Sequence, residues 1–94
     1  MRSRYTAFAV GDVDYLLATW HSRTRPARLD LDPGMSWVRL EIVAAHGGPF
    51  DGEGVVEFRA HYRTDAGRGV LHERSSFVRE NARWYYVDGV VAPA

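Results

Sequence analysis

Val55–Thr64, which reads VVEFRAHYRT, gives the clearest indication of the fold. Apolar and polar residues alternate along it, so that one face carries Val56, Phe58, Ala60 and Tyr62 and the other carries Glu57, Arg59, His61 and Arg63. An alternation with a period of two is typical of a β-strand that buries one face. Val70–Arg79 and Arg83–Asp88 continue the pattern after short polar turns. The three stretches together predict an antiparallel sheet.

A fourth strand is predicted earlier in the chain, over Trp37–Ala45. Alternation places one set of residues on its first face, namely Val38, Leu40, Ile42 and Ala44. The second face carries Trp37, Arg39, Glu41 and Val43. We expect this strand to complete a four-stranded sheet.

The turn between the last two strands decides which side chains face inward. Asn81-Ala82 is predicted to form a two-residue hairpin turn, although Ala is unfavourable where a positive φ is needed. That turn sets three cross-strand pairs, which are Arg79 with Trp84, Phe77 with Tyr86 and Ser75 with Asp88. One face would then carry Glu73, Ser75, Phe77, Trp84, Tyr86 and Asp88. A three-residue loop would reverse both faces, since a slip of one residue moves every side chain to the other side.

Two helices are predicted to precede the sheet. Met1–Val10 places Met1, Tyr5, Phe8 and Ala9 on one helical face, with Arg2 and Arg4 pointing elsewhere. Gly11 ends this helix, and Asp12 is well suited to cap the next one. The second helix has a core-facing stripe of Val13, Leu16, Leu17 and Trp20, with His21 in its last turn. The predicted fold class is therefore α+β. Residues 1–94 form a single domain in which two N-terminal helices pack on the concave face of a curved four-stranded antiparallel sheet.

Composition excludes several classes of function. Twelve basic and twelve acidic residues give the 94-residue chain no net charge, which argues against a nucleic-acid partner. Cys is absent, so thiolate catalysis, disulfides and Cys-based metal sites are excluded for these residues. The His and carboxylate residues lack metal-ligand spacing, and we expect neither a metal nor another cofactor. No apolar run could span a membrane and Met1–Val10 lacks the apolar core of a signal peptide, so we expect a cytoplasmic protein.

A candidate pocket is predicted on the concave side of the sheet, formed by Trp20, His21, Tyr62, Glu73, Phe77 and Tyr86. Glu73 would be its carboxylate, and an apolar environment favours general-base or general-acid chemistry there. Alternatively, Glu73 pairs with an arginine, such as Arg39 or Arg4, and has a structural role. The aromatic residues, likewise, are expected first of all in the core of so short a chain.

Five motifs, in order along almost the whole chain, match those of a known family: Met1-Arg2-Ser3-Arg4-Tyr5-x-Ala7-Phe8, Tyr15-Leu16-x-x-Thr19-Trp20-His21, Val55-x-Glu57-Phe58-x-Ala60-x-Tyr62, Leu71-His72-Glu73-x-Ser75-x-Phe77 and Arg83-Trp84-x-Tyr86-x-Asp88-Gly89. In these motifs the chain resembles the YchJ family, the UPF0225 group. The resemblance implies an NTF2-like cone with no assigned biochemical function. It also implies a neighbouring Cys-rich SEC-C zinc motif, which these Cys-free residues do not contain. The chain is then either a trimmed form or a member without the zinc module.

Two functional hypotheses follow. The first is a small binding or adaptor domain without catalytic activity, because no catalytic constellation converges and the family it resembles has no assigned activity. The second is an isomerase or dehydratase that acts on a small molecule in the cone, which rests on the fold alone. An enzyme would need an open pocket on the order of several hundred Å³ with an ionisable group inside. A cavity filled by aromatic side chains would favour the adaptor, the expected ones being Tyr5, Phe8, Trp20, Phe58 and Trp84.

The outer face of the sheet is expected to contact a protein. Six apolar residues cannot all fit inside one small cone, namely Trp37, Val43, Val70, Val78, Tyr85 and Val87. A contiguous apolar face on a short domain marks a partner surface. We therefore expect homodimerisation through the sheet, or docking of the zinc module there, in addition to a small-molecule ligand in the cone.

Overall fold

The computed structural model describes residues 2–47 and 51–91, which form two helices and four strands. The helices are α1 (Arg2–Val10) and α2 (Val13–Ala18). The strands are β1 (Ser36–His46), β2 (Glu53–Thr64), β3 (Gly67–Glu80) and β4 (Arg83–Val91). Each strand pairs antiparallel with the next, in the order β1-β2-β3-β4. The predicted α+β architecture is confirmed, although Met1, expected on the apolar face of α1, lies outside the described residues.

The junction between the helices follows the predicted signals. Gly11 ends α1 with a φ of 76°, a conformation that suits glycine. Asp12 caps α2, since its Oδ1 accepts a hydrogen bond from Tyr15 N at 3.1 Å. Leu16 is fully buried and anchors this short helix in the core.

The second helix is shorter than predicted. It ends at Ala18, and the chain then runs beside β4, where Trp20 forms a parallel bridge with Tyr86. His21 N donates to Tyr86 O at 2.7 Å, and Tyr86 N donates to Thr19 O at 2.8 Å. The prediction that His21 lies in the last turn of the helix is therefore wrong. The open edge of β4 offers backbone partners, and the segment after α2 satisfies them instead of continuing the helix.

The hairpin between β3 and β4 has the predicted two-residue turn. Asn81 and Ala82 have φ values of 53° and 64°, the positive values that this turn needs. Two of the three predicted cross-strand pairs are present, Arg79 with Trp84 and Phe77 with Tyr86. The register next to the turn is therefore confirmed.

The third predicted pair is wrong because β4 contains an extra residue, the buried Val87. Beyond this bulge, Ser75 pairs with Gly89 instead of Asp88, and Asp88 stands opposite Ser76 on the outer face. A bulge shifts the alternation of one strand by one position. Its location does not follow from the alternating pattern that the prediction used.

Two further register shifts lie in β1, where Val38 and Val43 are the extra residues. Because of the first, Trp37 pairs with Tyr62 on the inner face of the sheet, and its ring centroid lies 6.2 Å from that of Tyr5 in α1. The prediction that Trp37 lies on the outer face is therefore wrong. Val38, expected on the inner face, is 57% exposed.

The core lies between the helices and the inner face of the sheet. Its most deeply buried apolar residues come from both layers and are Ala7, Leu16, Phe58, Ala60, Phe77 and Val87. Of the residues expected on the outer face, Trp37 lies on the inner face and Val87 is buried, whereas Val43 and Val70 are exposed. None of the helices in the described ranges is long and apolar enough to cross a membrane.

Replacing Ala82 with glycine is expected to stabilise the domain. An L-residue in the left-handed region costs roughly 1–2 kcal/mol, which glycine would avoid. The greater entropy of glycine in the unfolded state offsets part of this stabilisation. We expect the free energy of unfolding to rise by roughly 0.5–1 kcal/mol in urea denaturation. Ala66→Gly is the matched control, because Ala66 lies in the β2–β3 turn without a positive φ. A gain in the control, or a loss in Ala82→Gly, would contradict the strain assigned to Ala82.

Candidate functional site

A cavity of about 130 Å³ lies between α1 and the inner face of the sheet. Most of its wall is aromatic, from Tyr5, Phe8, Trp20, Trp37, Phe58 and Tyr86. Its other polar lining residues are Arg4, Glu73 and Ser75. The volume is below the roughly 300–1,000 Å³ of common small-molecule sites and close to the ~150 Å³ of an engineered cavity that binds benzene.

Three of the six predicted pocket residues meet at this cavity: Trp20, Glu73 and Tyr86. Phe77 packs behind Tyr86, with ring centroids 5.8 Å apart. Tyr62 packs against Trp37, also at 5.8 Å, and borders an outer groove instead. His21 lies at the edge of β4, where its Nε2 is 2.8 Å from Glu80 Oε2.

Arg4 is the unusual residue of the cavity, because it is only 5% exposed. Its Nη1 donates to Leu16 O at 3.0 Å and to Thr19 Oγ1 at 2.6 Å. Its guanidinium carbon lies 4.6 Å from the ring centroid of Tyr86 and 5.5 Å from that of Trp20. The charge is thus stabilised by acceptors at the end of α2 and by cation–π contacts.

None of the described carboxylates is in direct contact with this buried cation. Within the described ranges, no carboxylate oxygen lies within 4.0 Å of an Arg4 nitrogen, and neither Nε nor Nη2 donates a hydrogen bond. In the described ranges, every side-chain nitrogen or oxygen that is fully buried has a hydrogen-bond partner. Because Nε and Nη2 have none, they must border accessible space. Burial lowers the pKa of Arg4, and the nearby Tyr86, Tyr15 and Glu73 oppose that shift.

Glu73 lies on the inner face of β3 and reaches the cavity. Its Oε2 accepts a hydrogen bond from Ser75 Oγ at 2.6 Å, and its Oε1 has no partner in the described part of the chain. Gly89 leaves room for the carboxylate, since a Cβ at that position would clash with Glu73 Oε2. The expected alternative, a direct pair with Arg39 or Arg4, is not formed.

Tyr86 supplies a neutral hydroxyl to the same region. Burial and then the negative charge of Glu73 raise the pKa of Tyr86 to about 12, with Arg4 acting in the opposite direction. The phenol therefore stays protonated at neutral pH and keeps its O–H donor. Its ring lies edge-to-face against Trp20, with centroids 4.9 Å apart.

The histidines do not reach this cavity. His72 Nε2 lies 2.7 Å from Glu57 Oε2 on the outer face, and His61 Nε2 lies 3.5 Å from Glu41 Oε1 on the same face. Glu73 therefore has no imidazole with which to share a proton. Residues 2–47 and 51–91 also contain no group of three or more His, Cys, Asp or Glu residues that could hold a metal ion.

A family model described as "YchJ, middle NTF2-like domain" matches residues 1–89. The chain belongs to the YchJ family. The resemblance in the sequence motifs is thereby confirmed, together with the NTF2-like fold. A UPF0225 protein of Streptomyces coelicolor is 60% identical over 90 residues, which are 95% of this chain and 69% of that protein. A UPF0225 protein of Polaromonas naphthalenivorans is 56% identical over 90 residues, 95% of this chain and 65% of its own length.

Two solved structures are similar to this YchJ-type domain. The solution structure of a SEC-C motif containing protein from Rhodopseudomonas palustris matches with a TM-score of 0.85 and 30% identity, over 99% of this chain and 76% of that one. The crystal structure of a SEC-C motif containing protein from Psychrobacter arcticus matches with a TM-score of 0.71 and 31% identity, over 100% of this chain and 59% of that one. The similarity covers the whole domain and only part of each longer protein.

Sequence reasoning missed two polar residues of the YchJ-type cavity. Arg4 was expected to point away from the apolar face of α1, and Ser75 was placed on the inner face without a role. The only signal for Arg4 is its place one turn before the buried Ala7. Ser75 is fully buried beside Glu73, and a Glu-x-Ser spacing on one strand face was its only signal.

Arg4 is expected to hold the two helices together. Arg4→Met keeps much of the side-chain length but removes both Nη1 hydrogen bonds, so the free energy of unfolding should fall by about 1–3 kcal/mol. Arg2→Met, on an exposed position of the same helix, should change it by no more than about 0.5 kcal/mol. Urea denaturation followed by far-UV circular dichroism measures both variants. Equal stability of Arg4→Met and the parent protein would show that the buried guanidinium does not support the fold.

Proposed function

We propose that this YchJ-type domain is a non-catalytic binding domain that takes a small molecule into its cone. The observation that carries the proposal is the cavity itself, which opens next to a buried cation and a carboxylate that do not neutralise each other by contact. A closed structural core would pair these charges or replace them with apolar side chains. Polar groups that converge on an apolar pocket are typical of ligand sites.

Three observations favour binding over catalysis. The cavity is small, its carboxylate is engaged by Ser75, and no imidazole lies beside Glu73. An isomerase or dehydratase normally needs a base and an acid that face the same substrate. Tyr86 could supply only a weakly acidic hydroxyl, because its pKa is raised to about 12. We therefore place the enzyme alternative second.

Benzene is a suitable probe of the cavity, because its size matches the space. We expect saturable shifts of the amide signals of Phe58, Ala60 and Leu71 when benzene is added to ¹⁵N-labelled protein. Ala60→Val should weaken this binding at least roughly tenfold, since the added methyl groups enter the cavity. Val70→Ala, an exposed outer-face position on the neighbouring strand, should leave the affinity unchanged. Absence of saturable shifts in the folded parent protein would overturn the proposed function.

We also propose that the outer face of the sheet binds a second copy of the chain. Several valines there are exposed without a covering element in the described ranges, with Val38 at 57%, Val43 at 42% and Val70 at 44%. Val38 and Val70 border the same groove, of about 450 Å³, between β1 and β3. Exposed apolar patches of this kind mark contact surfaces. The SEC-C containing part of longer relatives is the other occupant to be considered, because this chain spans only 76% and 59% of the two similar structures.

Sedimentation velocity distinguishes these occupants. We expect concentration-dependent dimerisation of the parent chain and a monomer for Val70→Arg, because a charge in the patch opposes its burial. Val10→Arg is the control, since Val10 is 73% exposed on α1 and away from the sheet. A strict monomer at millimolar concentration would exclude the second copy and favour a segment of the kind that the longer relatives contain.

A further inference from the structure

Arg4 and Glu73, which both line the cavity, have hydrogen-bonding atoms without a partner in the described part of the chain. Arg4 has two nitrogens without hydrogen bonds, and Glu73 has one such oxygen, all bordering accessible space in the described structure. Arg4 and Glu73 both line the cavity and lie too far apart to form an ion pair. A ligand in this cavity therefore lies near both a positive and a negative charge.

This pairing of charges selects against charged ligands. An anion would gain from Arg4 and be repelled by Glu73, while a cation would gain from Glu73 and be repelled by Arg4. A neutral group that accepts one hydrogen bond and donates another satisfies both residues. A hydroxyl group does this with one atom, and hydrogen bonds to charged partners are the stronger kind.

The rest of the cavity wall is apolar and largely aromatic. The ring of Trp37 lies edge-to-face with those of Tyr5 and Phe8, at 6.2 and 6.4 Å between centroids. Phe58, which pairs across the strands with Glu73, also lines the cavity. Such walls favour a flat aromatic body. The volume of about 130 Å³ limits that body to roughly a single six-membered ring, as the comparison with the ~150 Å³ benzene cavity indicates.

We infer that the cavity binds a small, neutral, monocyclic aromatic molecule whose single polar group both accepts a hydrogen bond from Arg4 and donates one to Glu73, as the hydroxyl of a phenol does. The inference rests on the proposed function, because it requires that the cone admit a ligand. The inference goes beyond that function by assigning the class of ligand and the two residues that select the ligand. Ser75 and Gly89 act as positioning residues, since one holds the Glu73 carboxylate and the other leaves space for it.

Four probes with the same ring test the assignment: phenol, benzene, benzoate and benzylammonium. Affinities are measured at pH 7 by the amide shifts of the ¹⁵N-labelled protein. We expect phenol to bind at least roughly tenfold more tightly than benzene, because it adds two hydrogen bonds to charged groups. Benzoate and benzylammonium should bind more weakly than phenol.

Glu73→Gln provides the sharper test, because it removes the negative charge and leaves Arg4 in place. The ratio of phenol affinity to benzoate affinity should then fall at least roughly tenfold, since benzoate no longer meets a repelling carboxylate. Glu57→Gln is the matched control on the outer face and should leave that ratio unchanged. Gly89→Ala is a second variant at a position with an ordinary φ, and its Cβ should displace the Glu73 carboxylate and lower the preference for phenol over benzene.

The outcomes separate the inference from the proposed function. Equal affinities for benzene and phenol, in both the parent protein and Glu73→Gln, would overturn the ligand class while the binding function stands. Tightest binding of benzoate by the parent protein would also overturn it and would make Arg4 alone the selective group. Failure of all four probes, with benzene among them, would overturn the proposed function itself.

Discussion

A buried guanidinium is the constraint around which the rest of the domain is arranged. Removing a cation from water is costly unless its donors are satisfied and its charge is stabilised. Arg4 meets this requirement with neutral acceptors at the end of α2 and with the ring faces of Tyr86 and Trp20, and it forms no direct ion pair with residues 2–47 or 51–91. One side chain thereby connects α1 to α2, to the segment that follows α2 and to β4. Its remaining donors, Nε and Nη2, border accessible space, and Arg4 itself lines the cavity.

The bulges of the two edge strands, β1 and β4, shape the core. The regular strands β2 and β3 keep their alternation and supply an unbroken inner face, whereas β1 and β4 each contain extra residues. A bulge bends its strand and increases the local twist. In β1 the shift brings Trp37 beneath α1, and in β4 it places Gly89 beside the Glu73 carboxylate. The inward position of Trp37 and the space beside Glu73 therefore both depend on irregularities at the edges of the sheet.

The cavity contains opposite charges that act on each other without contact. The charge of Glu73 raises the pKa of both Arg4 and Tyr86, so the three groups share one electrostatic environment. Within walls that are largely aromatic, such charges are screened less than they would be in water. The selectivity proposed for this site follows from that arrangement, and it does not require any motif shared with a known enzyme. Three histidines pair with glutamates away from the cavity. His72 and His61 pair with Glu57 and Glu41 on the outer face, and His21 pairs with Glu80 at the edge of β4.

Local sequence patterns were enough to predict the α+β class, the antiparallel meander, the Asn81-Ala82 turn and the inward direction of Glu73, because each depends on alternation or on neighbouring residues. The sequence also carried the motifs that the family match confirmed. It could not locate the bulges, which depend on how far a strand is pulled by the helix or segment that covers it. Sequence patterns also missed the inward Trp37, the early end of α2 and the buried Arg4, because each depends on contacts with distant parts of the chain. Whether an arginine turns into the core is decided by acceptors and rings from distant parts of the chain, and only the tertiary structure brings these together.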